Sequence, residues 1–288
     1  MKSILLLSSL LAFVFNSDAQ LNPSTATIPI SIDYKNGYSG TGFILADSPY
    51  VYIVTAKHMI FKTDKSGKRF TTNLIGDEFT ITTYFRKLSS ERINTVDVDI
   101  KGIFQSNCIV NDTTNDIVAI LIGKNNPAGT LVNYSSFVGK NHQTKGITLV
   151  SSKDVGSFDD VEIGNDIYVF GYPKSIGLGL GQFELNKPLL CRGIIAGENN
   201  VNRTLILNAQ VYHGNSGGPV FCLIRKTNEY QIIGVVSELI PYESQVFKNG
   251  QLIDSTGVLS NSNYSIVTPL DILLPLLNKF QSTLVYKD

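Results

Sequence analysis

Short runs of β-branched and aromatic residues recur along almost the whole chain, and this pattern limits its possible folds more than any other feature. Clusters of Gly, Asn, Asp and Ser separate the runs, as expected for strands joined by turns. The runs are IPISIDY, GTGFILA, YVYIVT, EFTITTY, DIVAILI, DIYVFGY, TLILNAQV, GPVFCLI and YQIIGVVS. Many short strands at such spacing predict an all-β barrel or sandwich.

Apolar spacing typical of a helix is convincing only near the C-terminal end. Pro269 and Asp271 stand where residues favoured at helix starts are expected. The apolar positions that follow at helical spacing are Leu273, Leu274, Leu277 and Phe280. We therefore predict one short C-terminal helix over about residues 270–280.

The first residues, MKSILLLSSLLAFVFNSDAQ, are typical of a secretory signal peptide. Lys2 precedes an apolar stretch over residues 4–15, and a short polar region ends at Ala19. A membrane anchor is the competing interpretation, but twelve residues span only about 18 Å of a hydrocarbon core roughly 30 Å thick. We predict cleavage near Ala19, export to a periplasm or the extracellular space, and no stable membrane anchor afterwards.

Composition and charge exclude several classes of partner and cofactor. The 24 basic residues balance the 24 acidic ones, and no Lys or Arg run offers the footprint that nucleic acid requires. The three cysteines have no metal-binding spacing. The acyl-enzyme chemistry predicted below needs neither a metal nor an organic cofactor, and we expect none. At most one disulfide can form, any of three pairs is possible, and buried free thiols are the favoured interpretation.

The most distinctive string is GNSGGPV, in which Ser216 is surrounded by small residues. Such residues allow the backbone to approach a bound molecule closely. A serine hydroxyl becomes an effective nucleophile only when a neighbouring base takes its proton as it attacks. The sequence must therefore supply a histidine near this serine.

Three histidines are candidates for that base, and their contexts differ. His58 follows an apolar strand, His142 lies in a polar segment, and His213 is three residues before Ser216, where a tight turn directs it elsewhere. We favour His58 and keep His213 only as a possible subsite residue. Asp116 opens the run DIVAILI and is the best candidate to orient the base, although a strand-opening aspartate in a turn is the competing interpretation.

The strings VTAKHMI, NDIVAILI and GNSGGPV occur in this order, and together they resemble the His, Asp and Ser motifs of chymotrypsin/trypsin-like serine proteases. Within that family the chain is most similar to the HtrA-like bacterial branch. The resemblance covers roughly residues 38–270. It includes GTGFILA, which is similar to the Gly-rich strand near the start of the family's domain.

The resemblance implies an all-β fold of two perpendicular six-stranded β-barrels, with a short C-terminal helix. We place the signal peptide at residues 1–19 and one trypsin-like serine protease domain at residues 20–288. The first barrel is expected at about 24–140 and the second at about 145–270. The PDZ domain common in HtrA-like relatives is not expected.

Carried over to the matching positions, the family's roles make Ser216 the nucleophile and His58 the general base and acid. Asp116 would orient His58, and the backbone N–H groups of Gly214 and Ser216 would form the oxyanion hole. Asn215 stands where zymogen-type relatives have an aspartate that binds a new N-terminus. Activation by such an ion pair is therefore not expected.

Three further residues match positions that contact substrate in the family. Ser237 and Glu238 belong to VVSEL, which resembles the strand that pairs with substrate. Gln210 lies six residues before Ser216, where the floor of the specificity pocket is expected. The sequence shows no obvious acidic pocket for Lys or Arg, so no cleavage specificity is predicted.

These patterns predict an exported serine endopeptidase that acts on proteins or peptides. One alternative is a latent or inactive binding protein of the same fold, in which a loop near Gly177–Gly181 holds the oxyanion site misformed. A second is a non-peptidase acyl hydrolase, which is disfavoured because GNSGG leads into an apolar strand rather than a helix. No oligomeric state is predicted.

Overall fold

A computed structural model describes residues 29–64, 70–87, 90–125, 131–134, 149–175, 183–249 and 251–285. The predicted signal peptide, His142 and the loop Gly177–Gly181 lie outside these ranges. Within them, no helix has the length and apolarity needed to cross a bilayer.

The N-terminal half is built around one nine-stranded sheet. The strands of this half are β1 (Pro29–Asp33), β2 (Ser39–Asp47), β3 (Tyr50–Thr55), β4 (Phe61–Thr63), β5 (Phe70–Leu74), β6 (Phe79–Lys87), β7 (Ser90–Val98), β8 (Ile109–Asn111), β9 (Val118–Asn125), β10 (Leu131–Tyr134) and β11 (Leu149–Ser151). The main path runs β10-β9-β3-β2-β1-β6-β7, while β8 pairs with β9 and β11 lies parallel to β2. Strands β4 and β5 form a separate ribbon.

The C-terminal half is a closed six-stranded barrel. Its strands are β12 (Asp166–Gly171), β13 (Leu189–Asn199), β14 (Thr204–Asn208), β15 (Pro219–Ile224), β16 (Glu229–Lys248) and β17 (Gln251–Pro269). They close in the order β12-β13-β14-β17-β16-β15. The predicted all-β class is confirmed, with a closed barrel in this half and strand pairing through nine strands in the other.

Two α-helices complete the described fold, α1 (Ile100–Gln105) and α2 (Leu273–Val285). The predicted C-terminal helix is α2, which follows a 3-10 turn at Leu270–Ile272 and extends past the expected end. Helix α1 was not predicted, because six residues are too few to show a helical period. The Asp99 carboxylate caps it by accepting a hydrogen bond from the Gly102 N–H at 2.8 Å.

The described apolar core consists of three clusters: one inside each half and one where the halves meet. Strand β3 explains how the halves join, because its residues alternate between two clusters. Val51 and Ile53 point into the N-terminal core, whereas Tyr52 and Val54 pack in the cluster between the halves. Burial on both faces accounts for the uninterrupted apolar run YVYIVT.

The helix α2 covers the cluster between the two halves. Leu273 and Leu277 are fully buried there, beside Phe170 and Phe221 from the C-terminal barrel. Burying one such side chain stabilises a fold by roughly 1.5–3 kcal/mol. The helix therefore helps to hold the two halves together.

No disulfide joins Cys108, Cys191 and Cys222. Cys222 is buried in the barrel, and burial raises the pKa of its thiol to about 12. Burial also raises the pKa of the Cys191 thiol. Because the thiolate is the reactive form, neither of these two cysteines is primed for redox or metal chemistry.

Candidate active site

A cleft of about 1460 Å³ lies where the two halves meet, and it brings most of the predicted site residues together. Residues of the N-terminal half that line it include His58 and Asp116. The C-terminal half contributes Ser216, Ser237 and Glu238. The nucleophile candidate and the base candidate therefore come from different halves of the fold.

The pairing of β3 with β9 explains why His58 and Asp116 lie side by side. Thr55 at the end of β3 is the register partner of Val118 at the start of β9. A single 3-10 turn over Lys57–Met59 then carries His58, while Asp116 ends the loop that leads into β9. Neighbours in an antiparallel pair place both side chains at one edge of the sheet.

Both carboxylate oxygens of Asp116 are occupied by His58. The ring Nδ1 lies 2.7 Å from Oδ2, and the backbone N–H of His58 donates to Oδ1 at 2.9 Å. Because a carboxylate only accepts, the neutral imidazole carries its proton on Nδ1 and leaves Nε2 free to accept one. This is the tautomer that a general base for a serine hydroxyl requires.

The turn that carries Ser216 depends on glycine at two positions. Gly214 and Gly217 have φ values of +102° and +82°, which favour glycine. A Cβ on Gly217 would lie 2.1 Å from the Thr55 Oγ1 and 2.2 Å from the Thr41 carbonyl oxygen. The turn therefore packs directly against the N-terminal half, and the space at position 217 accommodates no residue larger than glycine.

The backbone N–H groups of Gly214 and Ser216 have no hydrogen-bond partner among the described residues. The carbonyl group of His213 directly precedes the N–H group of Gly214. Its oxygen accepts two hydrogen bonds from Ser175, one from the backbone N–H at 3.4 Å and one from the side-chain hydroxyl at 3.1 Å. Two such backbone donors beside a candidate nucleophile suit a developing negative charge on a substrate oxygen.

The Ser216 hydroxyl and His58 line the same cleft, but no hydrogen bond joins them in the part of the chain that the structure describes. In sites without bound substrate this contact is commonly long and shortens only when substrate binds.

The three residues predicted to contact substrate have different surroundings. Glu238 is exposed and lines the cleft. Ser237 also lines it, but its hydroxyl is buried and shares a 2.6 Å hydrogen bond with the Thr268 hydroxyl. Gln210 is exposed and is not among the residues that line the cleft, so the structure does not bring it to the site.

Thr41 on β2 supports the Ser216 turn, although nothing in the sequence singled it out. Its backbone N–H donates to the Ser216 carbonyl at 2.8 Å, and its hydroxyl donates to the Gly214 carbonyl at 2.6 Å. The same hydroxyl accepts from the Tyr172 N–H at 3.0 Å. Threonine is common in β-strands, so the sequence does not indicate this role. It becomes visible only in the structure, where the two halves pack together.

The loop that presents Asp116 is organised by Asp112. Its Oδ1 accepts hydrogen bonds of 2.7–2.9 Å from the backbone N–H groups and the side chains of Thr114 and Asn115. Partial burial raises the pKa of Asp112, but these hydrogen bonds outweigh it and lower the pKa to about 2. The ionised carboxylate therefore stabilises the loop.

We predict that Asp112→Ala removes a pH-dependent part of the stability. A folded-state pKa below the ordinary value of about 3.9 gives stabilisation that is complete above roughly pH 5 and lost as the pH falls through about 2. Solvent screening limits it to about 1 kcal/mol. Urea unfolding of both proteins at several pH values should show a difference in the free energy of unfolding that becomes smaller as the pH falls. A difference that does not depend on pH contradicts this account.

Residues 40–226 match the family model described as trypsin-like peptidase domain, and this span contains His58, Asp116 and Ser216. Among solved structures, the one described as the crystal structure of Deg5 matches with 15% sequence identity and a TM-score of 0.45, covering 87% of each chain. None of the curated proteins matches the chain significantly. In the described part of the chain, no cluster of three or more His, Cys, Asp or Glu side chains is arranged to hold a metal ion.

Proposed function

Because this chain belongs to the trypsin-like peptidase domain family, we propose that it is an exported serine endopeptidase that uses Ser216, His58 and Asp116. One observation carries the proposal. The His58–Asp116 pair, with its 2.7 Å contact, lies in the same cleft as Ser216, and the N–H groups of Gly214 and Ser216 have no hydrogen-bond partner in the part of the chain that the structure describes. A base, a nucleophile and oxyanion donors are what peptide hydrolysis through an acyl-enzyme requires of a protein.

In the proposed mechanism, the Ser216 Oγ attacks the scissile carbonyl carbon while His58 Nε2 takes the hydroxyl proton. The carbonyl oxygen becomes negative and accepts hydrogen bonds from the Gly214 and Ser216 N–H groups. Collapse breaks the C–N bond, and the leaving amine takes the proton from His58. Water, activated by the same imidazole, then hydrolyses the acyl-enzyme and restores the serine hydroxyl.

Asp116 contributes by stabilising the imidazolium that forms during each proton transfer. Its two hydrogen bonds to His58 also prevent the ring from turning away from Ser216. Each oxyanion donor is worth about 3–4 kcal/mol of transition-state stabilisation in comparable sites. Gly214 supplies one of these donors only because its backbone tolerates a φ of +102°.

A latent protein of the same fold is the second candidate, and one observation favours it. The Ser216 hydroxyl makes no hydrogen bond to His58 among the described residues. A resting state in which substrate or a partner completes this contact would have little basal turnover. An acyl hydrolase that cleaves esters but not peptides is the third outcome to be tested.

Labelling with a fluorophosphonate probe, followed by digestion of a peptide library, separates these candidates. Labelling of the native chain, but not of heat-denatured protein, together with peptide cleavage supports the endopeptidase. Labelling with ester hydrolysis alone indicates an acyl hydrolase. A folded chain that is never labelled supports the latent protein and overturns the proposal.

Export is a separate part of the proposal and rests on the N-terminal sequence. Lys2 and the apolar stretch after it are the features that a signal peptidase pathway recognises. We expect N-terminal sequencing of the protein recovered outside the cytoplasm to begin at or near Gln20. Recovery of the chain with its first twenty residues attached, in the cytoplasm or in the membrane fraction, contradicts export with cleavage.

A further inference from the structure

Lys57 is a buried lysine directly beside the proposed catalytic histidine. Only 5% of the residue is exposed, although lysine side chains are rarely buried without a partner. Its Nζ donates to the Asp112 carbonyl oxygen at 2.6 Å and lies 3.4 Å from that of Thr113. It also lies 4.7 Å from the centre of the Phe70 ring, which favours a cation.

These contacts join the two segments that must meet for His58 to reach Asp116. Lys57 and His58 are adjacent on one 3-10 turn, while Asp112 and Thr113 belong to the loop that ends at Asp116. The ammonium group therefore links the same two segments as the His58–Asp116 contact. The two hydrogen bonds between His58 and Asp116 hold only the end of the loop, whereas the Lys57 contacts attach its beginning, at Asp112 and Thr113.

The loop's own hydrogen bonds do not provide this link. The bonds that the Asp112 carboxylate accepts from Thr114 and Asn115 shape the loop internally. They make no connection to the turn that carries His58. Apart from the contacts between His58 and Asp116 themselves, the described side chain that connects the turn to the loop is that of Lys57.

We propose that Lys57 is a positioning residue, which holds the Asp112–Asp116 loop so that Asp116 meets His58 in the reactive geometry. The inference deepens the proposed function and rests on it. A charged group is costly to bury, and here carbonyl oxygens and an aromatic face replace its water. Burial lowers the pKa of Lys57, and the carboxylates of Asp112 and Asp116 oppose that shift.

The test compares Lys57→Met, which preserves much of the apolar stem but cannot donate, with Lys57→Arg, which keeps the charge and the donors. We expect Lys57→Met to lower kcat by roughly 10- to 100-fold, since small misplacements of reacting groups have effects of this size. KM should change less than about twofold, because no substrate contact is removed. Lys57→Arg should recover part of the lost kcat.

A readout that does not need activity is the far-downfield proton NMR signal of the His58 Nδ1–H, recorded in the Ser216→Ala background. We expect Lys57→Met to shift or broaden this signal, and Lys57→Arg to restore it in part. If the native enzyme shows no hydrolysis but the signal still depends on Lys57, the proposed function fails while the positioning role stands.

Lys101→Met is the matched control, because Lys101 forms an exposed ion pair with Asp77 in the same half of the fold. It should leave both kcat and the His58 signal unchanged. Should Lys57→Met fail to fold, Lys57→Gln takes its place; its amide is neutral and shorter than the lysine side chain, so we expect a smaller loss of kcat and a smaller change in the His58 signal. Loss of stability with an unchanged His58 signal and unchanged kcat per folded molecule would assign Lys57 a purely structural role and overturn the proposal.

Discussion

The Ser216→Ala variant is expected to lose about 10⁶-fold in kcat for peptide hydrolysis and to take up no fluorophosphonate probe. The reason is chemical, because the variant has no oxygen to form the acyl-enzyme and His58 has no hydroxyl proton to remove. Hydrolysis kinetics with a peptide found in the library digest measure the effect. The residual rate should reflect only substrate binding and the two backbone donors of the oxyanion site.

This variant should fold as well as the native chain. The Ser216 hydroxyl makes no hydrogen bond among the described residues, so alanine leaves no buried partner unsatisfied. We expect the free energy of unfolding to change by less than about 0.5 kcal/mol. Peptide hydrolysis retained at the native rate in a folded Ser216→Ala protein would remove Ser216 from the mechanism.

Asp116→Asn is the second large effect, with an expected loss of about 10⁴-fold in kcat. The backbone N–H of His58 needs an acceptor, so the asparagine carbonyl oxygen should take the position now held by Oδ1. Its NH₂ group then faces the ring nitrogen that now lies 2.7 Å from Oδ2. Nδ1 must become an acceptor, and the proton moves to Nε2, where it blocks the abstraction of a proton from Ser216.

Kinetics of the Asp116→Asn variant with a saturating peptide measure the loss directly. Asp77→Asn is a suitable control, since Asp77 is exposed and pairs only with Lys101 among the described ion pairs. The control should retain nearly native kcat. Near-native turnover of Asp116→Asn would mean that Asp116 serves only as an aspartate in the turn that opens the strand and does not orient the base.

Strand and helix types were predictable from the sequence because their signals are local. Runs such as YVYIVT and DIVAILI became paired strands, and the apolar spacing after Leu273 became α2. Burial on both faces between two packed halves is the physical reason that these strands lack alternation. The sequence does not predict the six-residue helix α1, because an aspartate such as its N-cap, Asp99, is equally typical of turns and loops.

The candidate site was predictable as far as its residues belong to distinctive strings. His58, Asp116 and Ser216 fall in one cleft, and Glu238 joins them, whereas Gln210 does not. The supporting residues could not be found in this way. Thr41 acts on a turn 173 residues further along the chain, and a contact at that separation has no local signal.

The separation between Thr41 and the Ser216 turn also affects when the site can form. The N-terminal half carries His58 and Asp116, but its contacts with Gly214 and Ser216 require the other half. Contacts between such distant segments must overcome the entropy of closing a long loop, so they form late in folding. During synthesis the ribosome releases the histidine and aspartate long before the serine. An incomplete chain therefore holds two parts of the candidate site without the third, and the topology of the fold postpones assembly of the site until folding is nearly finished.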